Sequence, residues 1–200
     1  MTKPAEPVAA LRRLLAGNQR FVKGAPLHGH DVAQARRCAQ RPRPSALVIG
    51  CIDSRVPPEA IFDQGFGDLL VVRTAGHMLD DAALASVKLA VTNMHVPLVV
   101  VLGHESCAAV AYAADAIHRG ERPAGELGRL VDQIAPCVPS ASAADVEAYE
   151  ETARRNVSSA VGVVRAIRAV AELTAAGRLA VAGLRYGVSS GQVELVAEPA

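Results

Sequence analysis

Long apolar runs are missing from this sequence: the longest, such as residues 96–103, are too short to span a bilayer. The amino terminus also lacks the apolar core and small-residue cleavage site of a secretory signal. Neither sign of charge is in excess, because 21 basic and 20 acidic residues are interspersed and give a net charge of +1. We therefore expect a cytoplasmic protein with a small-molecule substrate and no nucleic-acid or membrane partner.

The 200 residues also lack a polar or low-complexity stretch long enough to separate two domains. Half of them are hydrophobic, enough for one sizeable core. We predict a single domain over 1–200, with an amino-terminal helical arm at 1–40 and an α/β core at 45–200. Four cysteines in a reducing compartment do not predict a disulfide framework, and Cys38 and Cys137 are expected to be buried or half-buried thiols.

Short runs rich in Val, Leu and Ile, without alternating polar residues, predict parallel strands buried on both faces. These runs cover 45–51, 68–73 and 97–103. Helical periodicity covers 80–94, 105–118, 127–134 and a long stretch from 143 to 176. Two more strands, at 179–186 and 192–197, flank a Gly-Val-Ser-Ser-Gly hairpin signature. The predicted fold class is α/β, with a mostly parallel central sheet of about four strands plus a carboxyl-terminal antiparallel strand, flanked by helices.

Two amphipathic helices are predicted before the first strand, at 7–23 and 31–39. Neither is expected to have a core of its own within the chain. This favours a homodimer as the smallest folded unit, with each arm covered by a neighbouring subunit.

Five residues suited to a metal site and its chemistry follow two of the predicted strands. Cys51, Asp53 and Arg55 stand in Cys-Ile-Asp-Ser-Arg, and His104 and Cys107 stand in Gly-His-Glu-Ser-Cys. Sites in open α/β sheets form beyond the carboxyl ends of strands, and a Cys/His/Cys set fills three of the four positions around zinc. If a helix begins near His104, the side chains of His104 and Cys107 share one face, and the helix terminus favours the Cys107 thiolate.

The open fourth position indicates a catalytic site, and we assign Asp53 and Arg55 as its catalytic residues. Two thiolates and an imidazole cancel the charge of Zn²⁺, so bound water is acidified less than in an all-histidine site. Asp53 could orient that water or hydroxide while Arg55 keeps the carboxylate ionised through a charge-assisted bond. Asp53 could instead bind the metal as a fourth ligand, which would give an inactive state.

A purely structural zinc site is the alternative, although such sites usually carry paired, closely spaced cysteines on loops. The other histidines have no partner at metal-ligand spacing, and each is expected to be a surface or core histidine. They are His28, His30, His77, His95 and His118.

Several segments together resemble the β-class carbonic anhydrases. They are 14–21 (Leu-Leu-Ala-Gly-Asn-Gln-Arg-Phe), 51–57 (Cys-Ile-Asp-Ser-Arg-Val-Pro), 67–76 (Gly-Asp-Leu-Leu-Val-Val-Arg-Thr-Ala-Gly), 103–107, 181–186 and 191–193. The resemblance implies zinc on Cys51, His104 and Cys107, an Asp53–Arg55 dyad, and a lyase that hydrates CO₂ reversibly to bicarbonate and a proton by zinc-bound hydroxide. It also implies dimers whose amino-terminal helices wrap the neighbouring subunit, and pairing of dimers into tetramers.

The chain departs from the family pattern where the substrate is expected. Ala108 stands where the family usually has a glycine, Leu70 where it often has an aromatic residue, and Leu89 where it often has a tyrosine. We predict that all three residues shape the pocket. Gln40 resembles the substrate-contacting glutamine of the family, and Ala75 completes the predicted substrate-binding set. An inhibitory bicarbonate site built with tryptophan, known in some members, is excluded because the chain has no tryptophan.

Three functions compete. The first is CO₂ hydration. The second is a related zinc hydrolase acting on a linear analogue such as carbonyl sulfide or carbon disulfide. The third is a non-catalytic zinc-bound sensor or assembly protein, which the intact Asp53 and Arg55 disfavour.

Overall fold

A five-stranded sheet organises the protein, whose computed structural model describes residues 6–40, 42–139 and 145–199. The strands are β1 Ala46–Cys51, β2 Leu69–Thr74, β3 Leu98–His104, β4 Ala180–Tyr186 and β5 Val193–Ala197. Their order across the sheet is β2-β1-β3-β4-β5, with parallel pairing throughout except for the antiparallel pair β4–β5. The predicted fold class is thus confirmed.

Eight helices surround the sheet in the described ranges. They are α1 Pro7–Val22, α2 Val32–Cys38, α3 Pro58–Ile61, α4 Asp81–Thr92, α5 Ala108–His118, α6 Gly125–Ile134, α7 Val146–Ala166 and α8 Arg168–Ala175, with 3-10 turns at Ala75–His77 and Ala135–Cys137. None of these helices combines the length and apolarity that a membrane span requires.

Both faces of the sheet are buried, which explains the uninterrupted apolar strands. Successive residues of β1 alternate between two cores: Val48 packs with residues of α1, α3, α5 and α6, whereas Leu47 and Ile49 pack with residues of α4, α7 and α8. Every residue of β1 and β3 is buried. The carboxyl ends of these two strands, where the predicted ligands stand, are therefore fixed from both sides.

Helix α1 has a core within its own chain, so the prediction that it lacks one is wrong. Leu14 is fully buried among residues that include Ile61 and Phe62, and a Cβ on Gly17 would lie only 1.7 Å from the Phe62 carbonyl oxygen. The Asn18 amide donates to the carbonyl oxygens of Ile61 and Gly191, at 3.1 and 2.9 Å. For α2 the prediction agrees with the structure, because none of its residues is buried.

Two predicted helix boundaries also differ from the structure. The long helix predicted from 143 to 176 is interrupted at Ile167, whose backbone is extended with ψ of 120°, and its first two positions lie outside the described residues. The helix predicted from 105 begins only at Ala108, because the chain first turns sharply after β3.

Candidate metal centre

Three elements bring Cys51, His104 and Cys107 together. Cys51 ends β1 and His104 ends the neighbouring strand β3, so both lie at the same edge of the sheet. Cys107 is the residue that caps the start of α5, and Ser106 before it adopts a left-handed φ of 53°. The prediction that His104 and Cys107 share a helical face is therefore wrong, because α5 begins only at Ala108; a turn between strand and helix brings them together.

The spacing of the ligand atoms fits a tetrahedral zinc ion. The donor atoms of the three residues lie within 4.8 Å of one another, and the sulphurs of Cys51 and Cys107 are 3.9 Å apart. Two thiolates bound at about 2.3 Å in a tetrahedral site are separated by about 3.8 Å. All three side chains are buried, so the geometry and the chemistry of the donor set both fit zinc.

His104 presents a nitrogen suited to a metal. Its Nδ1 lies 2.9 Å from the backbone oxygen of Glu105, which places the ring proton on Nδ1. The buried Nε2 has no hydrogen-bond partner among the described residues. A buried nitrogen without a partner is costly unless it binds something, and a metal ion between the sulphurs would satisfy it.

The two thiols share one proton. A hydrogen bond from the Cys107 thiol lowers the pKa of Cys51 to about 3, and the same bond, together with burial, raises the pKa of Cys107 well above its usual range. A divalent cation would remove this conflict, since both sulphurs could then be thiolates.

Asp53 and Arg55 form a bidentate pair beside these ligands. Arg55 donates from Nε to Asp53 Oδ1 at 3.0 Å and from Nη2 to Oδ2 at 2.7 Å, and its backbone N–H donates to Oδ1 at 2.9 Å. These bonds hold the pKa of Asp53 well below its usual range, so the carboxyl is ionised. Asp53 is not part of the group of three candidate ligands, and both of its carboxylate oxygens accept from Arg55.

A cleft of about 530 Å³ opens onto Cys51, Asp53 and Arg55. Apart from the motif residues, its walls are Ala75, Ala108, Ala109, Tyr112, Leu127 and Leu130. Such a mostly apolar surface suits a small apolar substrate. Sequence reasoning did not identify Tyr112, Leu127 and Leu130, because a helical apolar stripe does not show which residues border a cleft.

The predicted substrate-binding residues divide into two groups. Ala75 and Ala108 line the cleft. Gln40 is exposed, Leu70 packs against the core beside α4 and α7, and Leu89 is 55% exposed on α4. None of these three lines the cleft within one chain, so their contact with substrate stays a prediction for an assembled protein.

Arg73 is a supporting residue that the motifs did not reveal. It lies on β2 opposite Gly50 of β1, donates from Nε to the Cys51 carbonyl oxygen at 2.8 Å, and donates from Nη2 to the Asp53 carbonyl oxygen. It therefore holds the backbone of the Cys51–Asp53 segment. The signal was an arginine near the end of an otherwise apolar strand.

His77 is a buried core histidine near the site. Burial lowers its pKa to about 4, and Asn156 donates from Nδ2 to its Nε2 at 3.0 Å. It is thus neutral near pH 7, which agrees with the expectation of a core histidine.

Comparison with known proteins gives a consistent family. The family model described as carbonic anhydrase matches residues 46–193. A carbonic anhydrase of Mycolicibacterium smegmatis is 42% identical over 193 residues, covering 96% of this chain and 94% of that protein. A Coccomyxa β-carbonic anhydrase in complex with acetazolamide gives a TM-score of 0.74 at 24% identity, covering 95% of this chain and 87% of that one. A structure from a study of two tetrameric β-carbonic anhydrases of Sordaria macrospora gives a TM-score of 0.75 at 21% identity, covering 96% of this chain and 96% of that one.

Proposed function

This chain belongs to the β class of the carbonic anhydrase family, and from that premise we propose that it hydrates CO₂ with one zinc ion held by Cys51, His104 and Cys107. The observation that carries the zinc assignment is the buried group of three donor atoms within 4.8 Å of one another, with an ionised carboxylate beside it. Zinc would supply a Lewis acid that makes a water molecule nucleophilic at mildly alkaline pH.

The chain's own residues then orient the reaction. Asp53 accepts a hydrogen bond from the attacking water, which aims a lone pair of that water into the cleft. Its depressed pKa makes it a poor store for a proton, so the proton released by the reaction passes on to solvent or buffer. Arg55 fixes both carboxylate oxygens and is itself fixed by the Ser106 carbonyl oxygen, at 3.1 Å. The apolar walls admit CO₂ without hydrogen-bonding to it.

The test compares two cysteine-to-serine variants. Cys107→Ser should lose zinc and CO₂ hydration together, measured by elemental analysis and stopped-flow assay. Cys38→Ser is the matched control, because Cys38 is a half-buried thiol outside the donor group, and it should retain both. Full zinc occupancy in Cys107→Ser would refute the ligand assignment.

The apolar cleft favours one alternative substrate class, linear sulfur analogues such as carbonyl sulfide or carbon disulfide. Parallel turnover assays with CO₂ and carbonyl sulfide on the zinc protein decide between them. A non-catalytic sensor is disfavoured by the bidentate Asp53–Arg55 pair, which a metal site without chemistry does not need. Absence of turnover with either substrate at full zinc occupancy would support the sensor.

We further propose that the protein is a cytoplasmic homodimer or dimer of dimers, built from a single domain. The exposed α2 and the exposed Leu89 on α4 support association, as does the tetrameric state of the Sordaria macrospora enzymes. Four unpaired cysteines agree with a reducing compartment. A monomeric mass at micromolar concentration by light scattering would refute the assembly.

A further inference from the structure

The turn from His104 to Cys107 is held at its strained residue. Ser106 has a left-handed φ of 53°, which is costly for a residue with a side chain unless its surroundings impose it. Its backbone N–H donates to Glu150 Oε1 at 2.7 Å, and its carbonyl oxygen accepts from Arg55 Nη2 at 3.1 Å. The backbone of Ser106 therefore connects the start of α7 with the Asp53–Arg55 pair.

Glu150 is itself fixed in place. Its second oxygen pairs with Arg185 on β4, the strand next to β3, and the Arg185 side chain is only 11% exposed. Arg185 also donates from Nη1 to Glu194 Oε1 on β5 at 3.0 Å. Because Arg185 holds one oxygen and neutralises the charge, the other oxygen is free to accept from the Ser106 N–H, in a charge-assisted bond.

We propose that Glu150 is a positioning residue for the metal centre, because its bond to the Ser106 N–H sets the turn that places the Cys107 sulphur and the carbonyl oxygen that holds Arg55. This inference rests on the zinc site proposed above. Partners of this kind outside the ligand set commonly change metal affinity or activity by about 10–100-fold when they are removed.

The neighbouring residue on the same helix provides a matched control. Glu151 pairs with Arg155 at 2.7 Å, and both side chains are about half exposed. This is an ordinary surface ion pair, and such pairs contribute little. If Glu150 acted only as an ion pair, zinc binding and activity would depend on its charge alone. If it positions Ser106, they depend on whether its side-chain oxygen reaches the Ser106 N–H.

Four variants separate these two roles. Glu150→Gln keeps an oxygen at the same reach and loses the charge, Glu150→Asp keeps the charge and loses the reach, Glu150→Met loses both, and Glu151→Met is the control. We expect Glu150→Asp and Glu150→Met to weaken zinc binding or lower kcat/KM by about 10–100-fold. They should also change the thiolate-to-cobalt absorption of the cobalt-substituted protein and speed hydrogen exchange of the 104–107 amides. Glu150→Gln should be less impaired than Glu150→Asp, because its single oxygen still reaches the Ser106 N–H although Arg185 loses an acceptor, and Glu151→Met should resemble the parent.

The outcomes are decisive in either direction. Parent-like zinc affinity, cobalt spectrum and exchange in Glu150→Met overturn the inference. If Glu150→Met does not fold, the other pair decides: a Glu150→Asp variant that is more impaired than Glu150→Gln supports positioning, and the reverse order overturns it by showing that only charge matters. A parent protein that binds no zinc overturns the proposed function instead, and the exchange measurement still decides whether Glu150 holds the turn.

Discussion

Replacing Asn18 with alanine should measure how strongly α1 is anchored to its own chain. Asn18 is 5% exposed and makes three bonds: its amide donates to two carbonyl oxygens, of Ile61 and Gly191, and its Oδ1 accepts from the Val193 N–H at 2.9 Å. Each buried polar group left without a partner costs about 1–3 kcal/mol. Because a carbonyl oxygen can accept a second donor, we expect a total loss of about 2–5 kcal/mol in the free energy of unfolding.

The assay is urea unfolding followed by circular dichroism at one fixed protein concentration, so that subunit association contributes equally to all variants. A melting experiment should show the same order, at about 2–4 °C per kcal/mol for a chain of this size. The control is Asn93→Ala, because Asn93 is exposed at the end of α4; it should change stability by no more than about 0.5 kcal/mol. An Asn18→Ala loss as small as that of the control would refute the reasoning and restore the interpretation of α1 as a detachable arm.

Three further predictions concern the site. Arg55→Ala should lower CO₂ turnover at every pH, while its zinc content by elemental analysis stays unchanged. The activity of the parent should rise through mildly alkaline pH, where Asp53 is already ionised. Parent-like turnover in the variant would refute the proposed role of the Asp53–Arg55 pair. Zinc binding to the metal-free protein near pH 8 should release about one proton from the Cys51–Cys107 pair, because the raised pKa of Cys107 keeps its thiol protonated until the metal arrives. The affinity for zinc should therefore rise about tenfold per pH unit. Calorimetry in buffers of different ionisation enthalpy measures the released proton, and finding none would contradict the shared proton. Ala108→Gly combined with Leu89→Tyr should change the ratio of CO₂ to carbonyl sulfide turnover with unchanged zinc content, whereas an unchanged ratio would show that both positions serve packing alone.

The sheet and the grouping of the ligands could be predicted because they depend on local patterns. Continuous apolar runs identify β1 and β3, and parallel neighbours must place Cys51 and His104 at one edge. The helix start at Ala108 could not be predicted in this way. Ser106 adopts its left-handed backbone through bonds to Glu150 and Arg55, which are 44 and 51 positions away in the sequence.

The errors in α1 and in the long helix have a similar origin. An amphipathic pattern shows that α1 has an apolar face, but it does not show whether that face packs on the same chain or on another. The interruption at Ile167 carries neither glycine nor proline, so no local signal marks it. Alignment to a family motif placed Gln40, Leu70 and Leu89 in the pocket, which stays a prediction for the assembled protein, but it gave no signal for Tyr112, Leu127 and Leu130, which border the cleft of one chain.

The Asn18 amide also has a consequence for how the protein is made. Its partners Gly191 and Val193 lie 173 and 175 positions further along the sequence. During synthesis α1 leaves the ribosome early, yet it cannot close these bonds until the last two strands have emerged and paired. Until then α1 has its contacts with Ile61 and Phe62 but lacks the two bonds from Asn18 to the end of the chain. A premature stop that removes only β5 would thus also weaken the anchoring of the first helix, which lies at the other end of the sequence.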